Sequence, residues 1–273
     1  MKSALFAAAV LAVATLAPSA YAVTVAPVFT VTPSALGGPT TTFQGNKVSG
    51  SGSTLLTLNA ADSTVAGTGF VQFNAFSFDN GSATDIGPLD SGLNVAYQLY
   101  TTFNYTTKLL SGTFGAAGSL YDVTSLTFTV FGTKLADGKT TFTSAAIDPT
   151  VAPKANPVGT DFVVGTGTLA AGPDSASFNT AGGTSFNSNS LFTLTTFGKT
   201  FFTSPVPFFT NAFNSFTNTT SGFVASTDGI HIALNQANGA VDFAGTAVPE
   251  PTSIALLGFG LLAIGATVAR RKS

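Results

Sequence analysis

The segment Asn94-Val-Ala-Tyr-Gln-Leu-Tyr-Thr-Thr-Phe-Asn-Tyr-Thr106 carries the clearest structural pattern in the chain. Its odd positions are apolar or aromatic with one exception, and its even positions are mainly polar. The apolar set is Val95, Tyr97, Leu99, Phe103 and Tyr105. A period of two places these side chains on one face of a β-strand and the polar ones on the other. One packed face and one solvated face are typical of an antiparallel sheet.

Similar short segments follow along the chain, separated by residues that favour turns. They include residues 69–79, 125–132, 161–170 and 190–197, with Gly, Pro, Asp and Asn between them. The pattern predicts an all-β fold, a single antiparallel β-sandwich or jelly-roll-like domain. Two further details are expected: a short helix near Phe213, and a final hairpin of residues 229–234 and 240–244.

The first 22 residues have the three parts of a secretory signal peptide. Lys2 precedes an apolar stretch from Ala4 to Leu16, and small residues stand at Ala20 and Ala22. This spacing predicts that signal peptidase cleaves after Ala22. A permanent membrane helix is the alternative, which the short apolar stretch disfavours.

The last residues also form three parts in series: Pro249-Glu250-Pro251, an uncharged apolar run over residues 254–269, and a basic cluster of Arg270, Arg271 and Lys272. Sixteen helical residues would be about 24 Å long, somewhat short of a hydrocarbon core of about 30 Å. Basic residues beside an apolar segment tend to stay on the cytoplasmic side. A buried C-terminal core helix is the alternative interpretation.

This three-part tail resembles the PEP-CTERM sorting signal of Gram-negative bacteria. The resemblance implies recognition by an exosortase-type membrane protease, transient anchoring in the inner membrane, and cleavage near Pro249, Glu250 and Pro251. Delivery to the cell surface or extracellular matrix would follow. The expected organisation is a signal peptide (1–22), a β-rich secreted domain (23–247) and a sorting signal (248–273).

Composition limits what the central part can do. It contains six lysines, eleven aspartates, no arginine and no glutamate, so it is poorly equipped to bind nucleic acid. The chain has no cysteine, and its 26 phenylalanines must supply much of the core. The surface must be polar mainly through hydroxyl and amide groups. Such a surface can bind sugars, but it is also ordinary for an exported β protein.

No catalytic motif is evident, so the chain is expected to be neither an enzyme nor dependent on a cofactor. His231 is the only histidine, and no serine lies in a Gly-x-Ser-x-Gly context. Several aspartates lie in turn-like contexts, where their side chains bond the backbone. A secreted carbohydrate-active hydrolase with an Asp pair remains the alternative. The loop from Asp79 to Asp85 is a weak calcium candidate, and a plain β-turn describes it better.

Two internal segments, residues 92–103 and 197–218, look like the flocculation-associated subgroup of PEP-CTERM proteins. That resemblance implies a non-enzymatic role in floc or biofilm formation with exopolysaccharide as a partner. Tyr97, Tyr100 and Tyr105 are the candidate glycan contacts, and ordinary strand residues are the simpler interpretation of them. A surface-layer or pigment-binding domain without sugar affinity is a third possibility.

Overall fold

The computed structural model describes residues 27–79, 83–145, 150–172, 174–179, 183–218 and 223–244. The predicted signal peptide and sorting signal lie outside these residues. The strands are β1 (Phe29–Val31), β2 (Phe43–Gly45), β3 (Lys47–Asn59), β4 (Thr64–Asp79), β5 (Ala83–Ile86), β6 (Tyr97–Ser111), β7 (Leu120–Lys134), β8 (Thr141–Thr143), β9 (Lys154–Asn156), β10 (Asp161–Leu169), β11 (Ser175–Phe178), β12 (Thr184–Leu194), β13 (Phe202–Ser204), β14 (Asn211–Asn218), β15 (Phe223–Ala225) and β16 (His231–Ala244). Short helices α1 (Pro88–Ser91) and α2 (Gly198–Phe201) and 3₁₀ turns at Pro33–Leu36 and Leu135–Asp137 complete the described part.

The main sheet closes on itself. Its hydrogen bonds lead from β7 through β6, β4, β3, β16, β14, β12 and β10 and back to β7, with every pairing antiparallel. Strand β11 fills the rest of the gap between β7 and β12. Among the described strands, closure leaves few unpaired edges, and those that remain belong to short strands such as β5 and β15.

Aromatic side chains from opposite walls of this sheet meet in its interior. The rings of Phe103 on β6 and Phe216 on β14 are 5.4 Å apart, and those of Tyr105 on β6 and Phe186 on β12 are 4.4 Å apart. Interior glycines make room for such rings: a Cβ on Gly167 would lie 2.1 Å from the ring of Phe128. The phenylalanine-rich composition is therefore used to fill a closed sheet.

A small sheet of β13, β1 and β2 caps one end of the closed sheet. Phe29 on β1 is fully buried, and its ring contacts those of Phe76, Phe202 and Phe243. Strand β16 finishes at this same end, where Ala244 pairs with Asn211. We call it the terminal end, because the first and last described residues both lie there. The opposite end carries the turn between β3 and β4.

The hairpin of β8 and β9 covers part of the outer face of the closed sheet. Phe142 packs 4.9 Å from the ring of Phe70 and 5.3 Å from that of Tyr100. Beside it, Gln98 exchanges two hydrogen bonds with the backbone of Thr140, at 2.9 and 3.3 Å. The hairpin thus explains why both faces of β6 are buried near its start.

The predicted antiparallel all-β class is confirmed, while two local predictions are wrong. The segment around Phe213 is strand β14 and not a helix, because it pairs with β12 on one side and β16 on the other. Residues 231–244 form one continuous strand and not a hairpin, since β3 pairs along its length across an irregularity between Asn235 and Ala237. No helix among the described residues is long and apolar enough to cross a membrane. The predicted helix of residues 254–269 lies outside them.

Candidate functional site

A polar groove of about 500 Å³ lies on the outer face of β3, β4, β14 and β16, with β5 along one side. We call it the outer groove. Its lining residues are Asn46, Lys47, Ser49, Gly50, Asn74, Ser77, Asp85, Ser215, Asn238, Gly239 and Ala240. Amide and hydroxyl groups predominate, and the volume is within the usual range of small-ligand pockets.

Local backbone irregularity shapes the outer groove. The pairing of β3 with β4 shifts register between Ser49 and Gly50. A Cβ on Gly50 would lie 2.1 Å from the carbonyl oxygen of Gln72, so only glycine allows the two strands to approach this closely. The hairpin of β4 and β5 then places exposed Asp85 at the margin. The groove therefore depends on residues from strands far apart in sequence.

The charges of the outer groove nearly balance. Lys47 lies opposite Asp242 across the pairing of β3 and β16. Partial burial raises the pKa of Asp242, and the positive charge of Lys47 opposes that rise. Lys47 and Asp85 are the two charged residues of the described lining, and Asp242 lies beside it. The groove therefore has no excess of positive charge to attract a polyanion.

The three tyrosines proposed as glycan contacts lie elsewhere. Tyr97 is 0% exposed and donates a hydrogen bond to the carbonyl oxygen of Ser91 at 2.9 Å. Tyr100 is 2% exposed under the β8–β9 hairpin, and its hydroxyl donates to Asp161. Tyr105 points into the closed sheet against Phe186. A sugar needs an uncovered ring face, so the covered rings of Tyr97 and Tyr100 leave the outer groove as the better candidate.

Burial of these tyrosines predicts a loss of stability at alkaline pH. Burial raises the pKa of Tyr97 and Tyr105, and burial together with Asp161 raises that of Tyr100. Unfolded tyrosines ionise near pH 10, so the unfolded state releases protons that the folded state retains. Stability should fall as pH rises above about 10, by about 1.4 kcal/mol per pH unit for each such tyrosine. Phenolate absorbance of Tyr97, Tyr100 and Tyr105 should appear together with loss of the circular dichroism signal.

The variant Tyr100→Phe should show a shallower alkaline dependence, because it removes one of these protons. Phenolate formation by Tyr97, Tyr100 and Tyr105 near pH 10, in a protein that keeps its circular dichroism spectrum, would contradict the burial described above.

A second cavity lies inside the closed sheet, beside Tyr105, Tyr121 and Phe178. Its volume is about 40 Å³, room for water molecules but well below the roughly 150 Å³ of a cavity that holds benzene. Thr54 and Thr107 also line it. This cavity is too small for a sugar ring.

The remaining polar candidates form turns or ordinary surface contacts. Asp228 accepts the backbone N–H groups of Ile230 and His231, and lies 2.6 Å from Nδ1 of His231. These bonds, led by that from the His231 ring, hold the pKa of Asp228 well below its usual range. Asp174 accepts the backbone N–H of Asn189, and partial burial raises its pKa. Neither aspartate lines the outer groove.

The calcium candidate is a hairpin turn in its described portion. Asp79 pairs with Ala83, and Asp85 pairs with Ser77. The Asp79 side chain and residues 80–82 lie outside the part of the chain that the structure describes. Among described residues, no three His, Cys, Asp or Glu side chains are grouped as a metal ion would require.

Residues 247–272 match the family model of the PEP-CTERM protein-sorting motif. That motif implies export, transient membrane anchoring and processing by an exosortase. No curated protein and no solved structure matches the chain.

Proposed function

We propose that this chain, which carries a PEP-CTERM sorting motif, is a non-enzymatic structural or adhesive protein of the cell surface or extracellular matrix. In this proposal it acts in floc or biofilm formation and binds the exopolysaccharide of that matrix. Signal peptidase would remove residues 1–22, and an exosortase would cut near Pro249, Glu250 and Pro251.

The outer groove is the observation that carries the binding part of the proposal. Its side-chain amides and hydroxyls offer both donors and acceptors, which matches the hydroxyl groups of a sugar. Its nearly balanced charges favour a neutral glycan over an acidic one. Among the described residues that line it, none has an aromatic ring on which a sugar could stack. We therefore expect weak binding at each groove, strengthened when many copies bind one polymer.

The cellular role can be tested by deleting the gene in the producing bacterium. Loss of flocculation with unchanged polysaccharide secretion supports the proposal. Normal flocculation in the deletion strain, with the polysaccharide still secreted, would contradict it.

Binding can be tested with the double variant Asn74→Ala/Asn238→Ala. Both side chains are exposed in the outer groove. At about 1 kcal/mol for each lost hydrogen bond, affinity for the purified exopolysaccharide should fall about 30-fold. Affinity electrophoresis in gels containing that polysaccharide measures the change.

Asn104→Ala is the matched control. Asn104 is also an exposed asparagine on an outer strand face, but it lines a different and smaller depression of about 230 Å³. Equal weakening by the control and the double variant would exclude the outer groove as the binding site.

A further inference from the structure

The two most exposed large apolar side chains of the described residues both lie at the terminal end. Val206 is 87% exposed and Leu89 is 83% exposed. Prolines lie on both sides of Val206, in Pro205-Val-Pro207, and Pro88 precedes Leu89. Single exposed apolar side chains are common on soluble proteins. What distinguishes these two, which we call the tips, is that both lie at the end from which the chain continues toward the apolar run of residues 254–269.

Their connections fix their position at this end. Val206 lies between β13, which belongs to the cap, and Asn211, which pairs with Ala244. Leu89 lies in α1, whose Ser91 carbonyl accepts the hydroxyl of Tyr97. The Tyr97 ring in turn contacts that of Phe201, which precedes the cap strand β13.

The length of chain beyond Ala244 determines what this end can face. Residues 245–253 connect it to the apolar run at 254–269 and span at most about 32 Å when fully extended. Strand β4 has 16 residues and is about 50 Å long. A tilt of about 40° in a closed sheet reduces its projection to about 40 Å. A body tethered by such a linker cannot turn its terminal end fully away from the membrane, so Ala244 stays within the reach of the linker.

We propose that the terminal end rests on the lipid surface while the chain is tethered, with Val206 and Leu89 inserted at the bilayer interface. This inference relies on the membrane anchoring in the proposed function. Interfacial segments place apolar side chains about 5–10 Å into the boundary between headgroups and acyl chains. Exposed charges on the short helices of this end are mixed: Asp90 follows Leu89 in α1, and Lys199 lies in α2 before the cap strand β13. Apolar contact, and not attraction to anionic lipid, is therefore the stabilising interaction.

Such contact would have a consequence for processing. It would hold the body against the bilayer and keep residues 245–253 close to the surface. The Pro249-Glu250-Pro251 motif would then remain within reach of a membrane-embedded protease.

The absence of cysteine from the sequence allows a direct test by single-site labelling. An environment-sensitive fluorophore is attached to Val206→Cys or Leu89→Cys in chains retaining residues 23–273. Leu110→Cys is the matched control, because Leu110 is 72% exposed near the end of β6 at the opposite end of the sheet. The chains are reconstituted in phosphatidylethanolamine–phosphatidylglycerol vesicles with nitroxide lipids, and vesicle flotation is measured in the same samples.

We expect a blue shift and nitroxide quenching at positions 206 and 89, insensitive to salt, and neither effect at position 110. Flotation without quenching at 206 and 89 would overturn this inference and leave anchoring intact. Equal quenching at all three positions would also overturn it, because the body would then lie on its side. A blue shift without nitroxide quenching would instead indicate that the C-terminal segment covers the tips. If the chains do not float with the vesicles, membrane anchoring is contradicted, and this inference with it.

Discussion

The variant Phe29→Ala should be the most destabilising single substitution considered for the described domain, by about 3–5 kcal/mol. Phe29 is fully buried and contacts Phe76 on β4, Phe202 on β13 and Phe243 on β16, at centroid distances of 5.4–6.3 Å. Truncation would leave a cavity between the cap and the closed sheet. Urea unfolding followed by far-UV circular dichroism measures the loss.

Thr30→Ala is the matched control for this substitution. Thr30 is the next residue of the same strand and is only half-buried, so we expect a change within about 0.5 kcal/mol. A loss below about 1 kcal/mol for Phe29→Ala would mean that the cap unfolds separately from the closed sheet. Signal peptidase cleavage after Ala22 would leave β1 intact, which the cap requires.

The strand pattern could be predicted because it depends on local alternation. The odd positions Tyr97, Leu99 and Phe103 do face the interior of the closed sheet and are buried. The pattern could not show that the polar face at Gln98 and Tyr100 is also covered. That burial comes from the β8–β9 hairpin, a contact over about 40 residues of sequence.

Errors arose where tertiary pairing outweighs local spacing. Phe209, Phe213 and Phe216 recur at helical intervals, yet residues 211–218 pair with strands on both sides. The hydrogen bonds gained from two neighbours override the weak local preference. Closure of the sheet could not be predicted from local pattern either, because it requires β7 and β10 to pair across a long connection.

The candidate site was missed for a similar reason. Asn74, Ser215 and Asn238 come from three strands that no sequence motif connects. Only the pairing order brings them to one surface. From the sequence, tyrosines were proposed as glycan contacts because aromatic rings often bind sugars. In this fold, however, Tyr97 and Tyr100 are buried in the core. The sorting motif, by contrast, is a contiguous signal and was therefore recognisable from sequence.

Replacing both Arg270 and Arg271 with Ala, or both Pro249 and Pro251 with Ala, should abolish C-terminal processing. Basic residues beside an apolar segment favour retention of the chain end in the cytoplasm, and prolines restrict a chain to the extended conformations that a protease cleft accepts. Intact-mass analysis of cell-surface protein gives the readout. The parent chain should begin at Val23 and end near Pro249 to Pro251, whereas the variants should retain their C-terminal residues in the membrane fraction.

Thr252→Ala is the control, since it leaves both the tripeptide and the basic cluster unchanged and should be processed like the parent. Surface protein from the parent strain that still carries Arg270 and Arg271 would refute the sorting hypothesis. The outcome bears on the length of the apolar run as well. The predicted helix of residues 254–269 would be about 24 Å long, which is short for a core of about 30 Å. That length would be a disadvantage for a permanent anchor but acceptable for one that a protease removes.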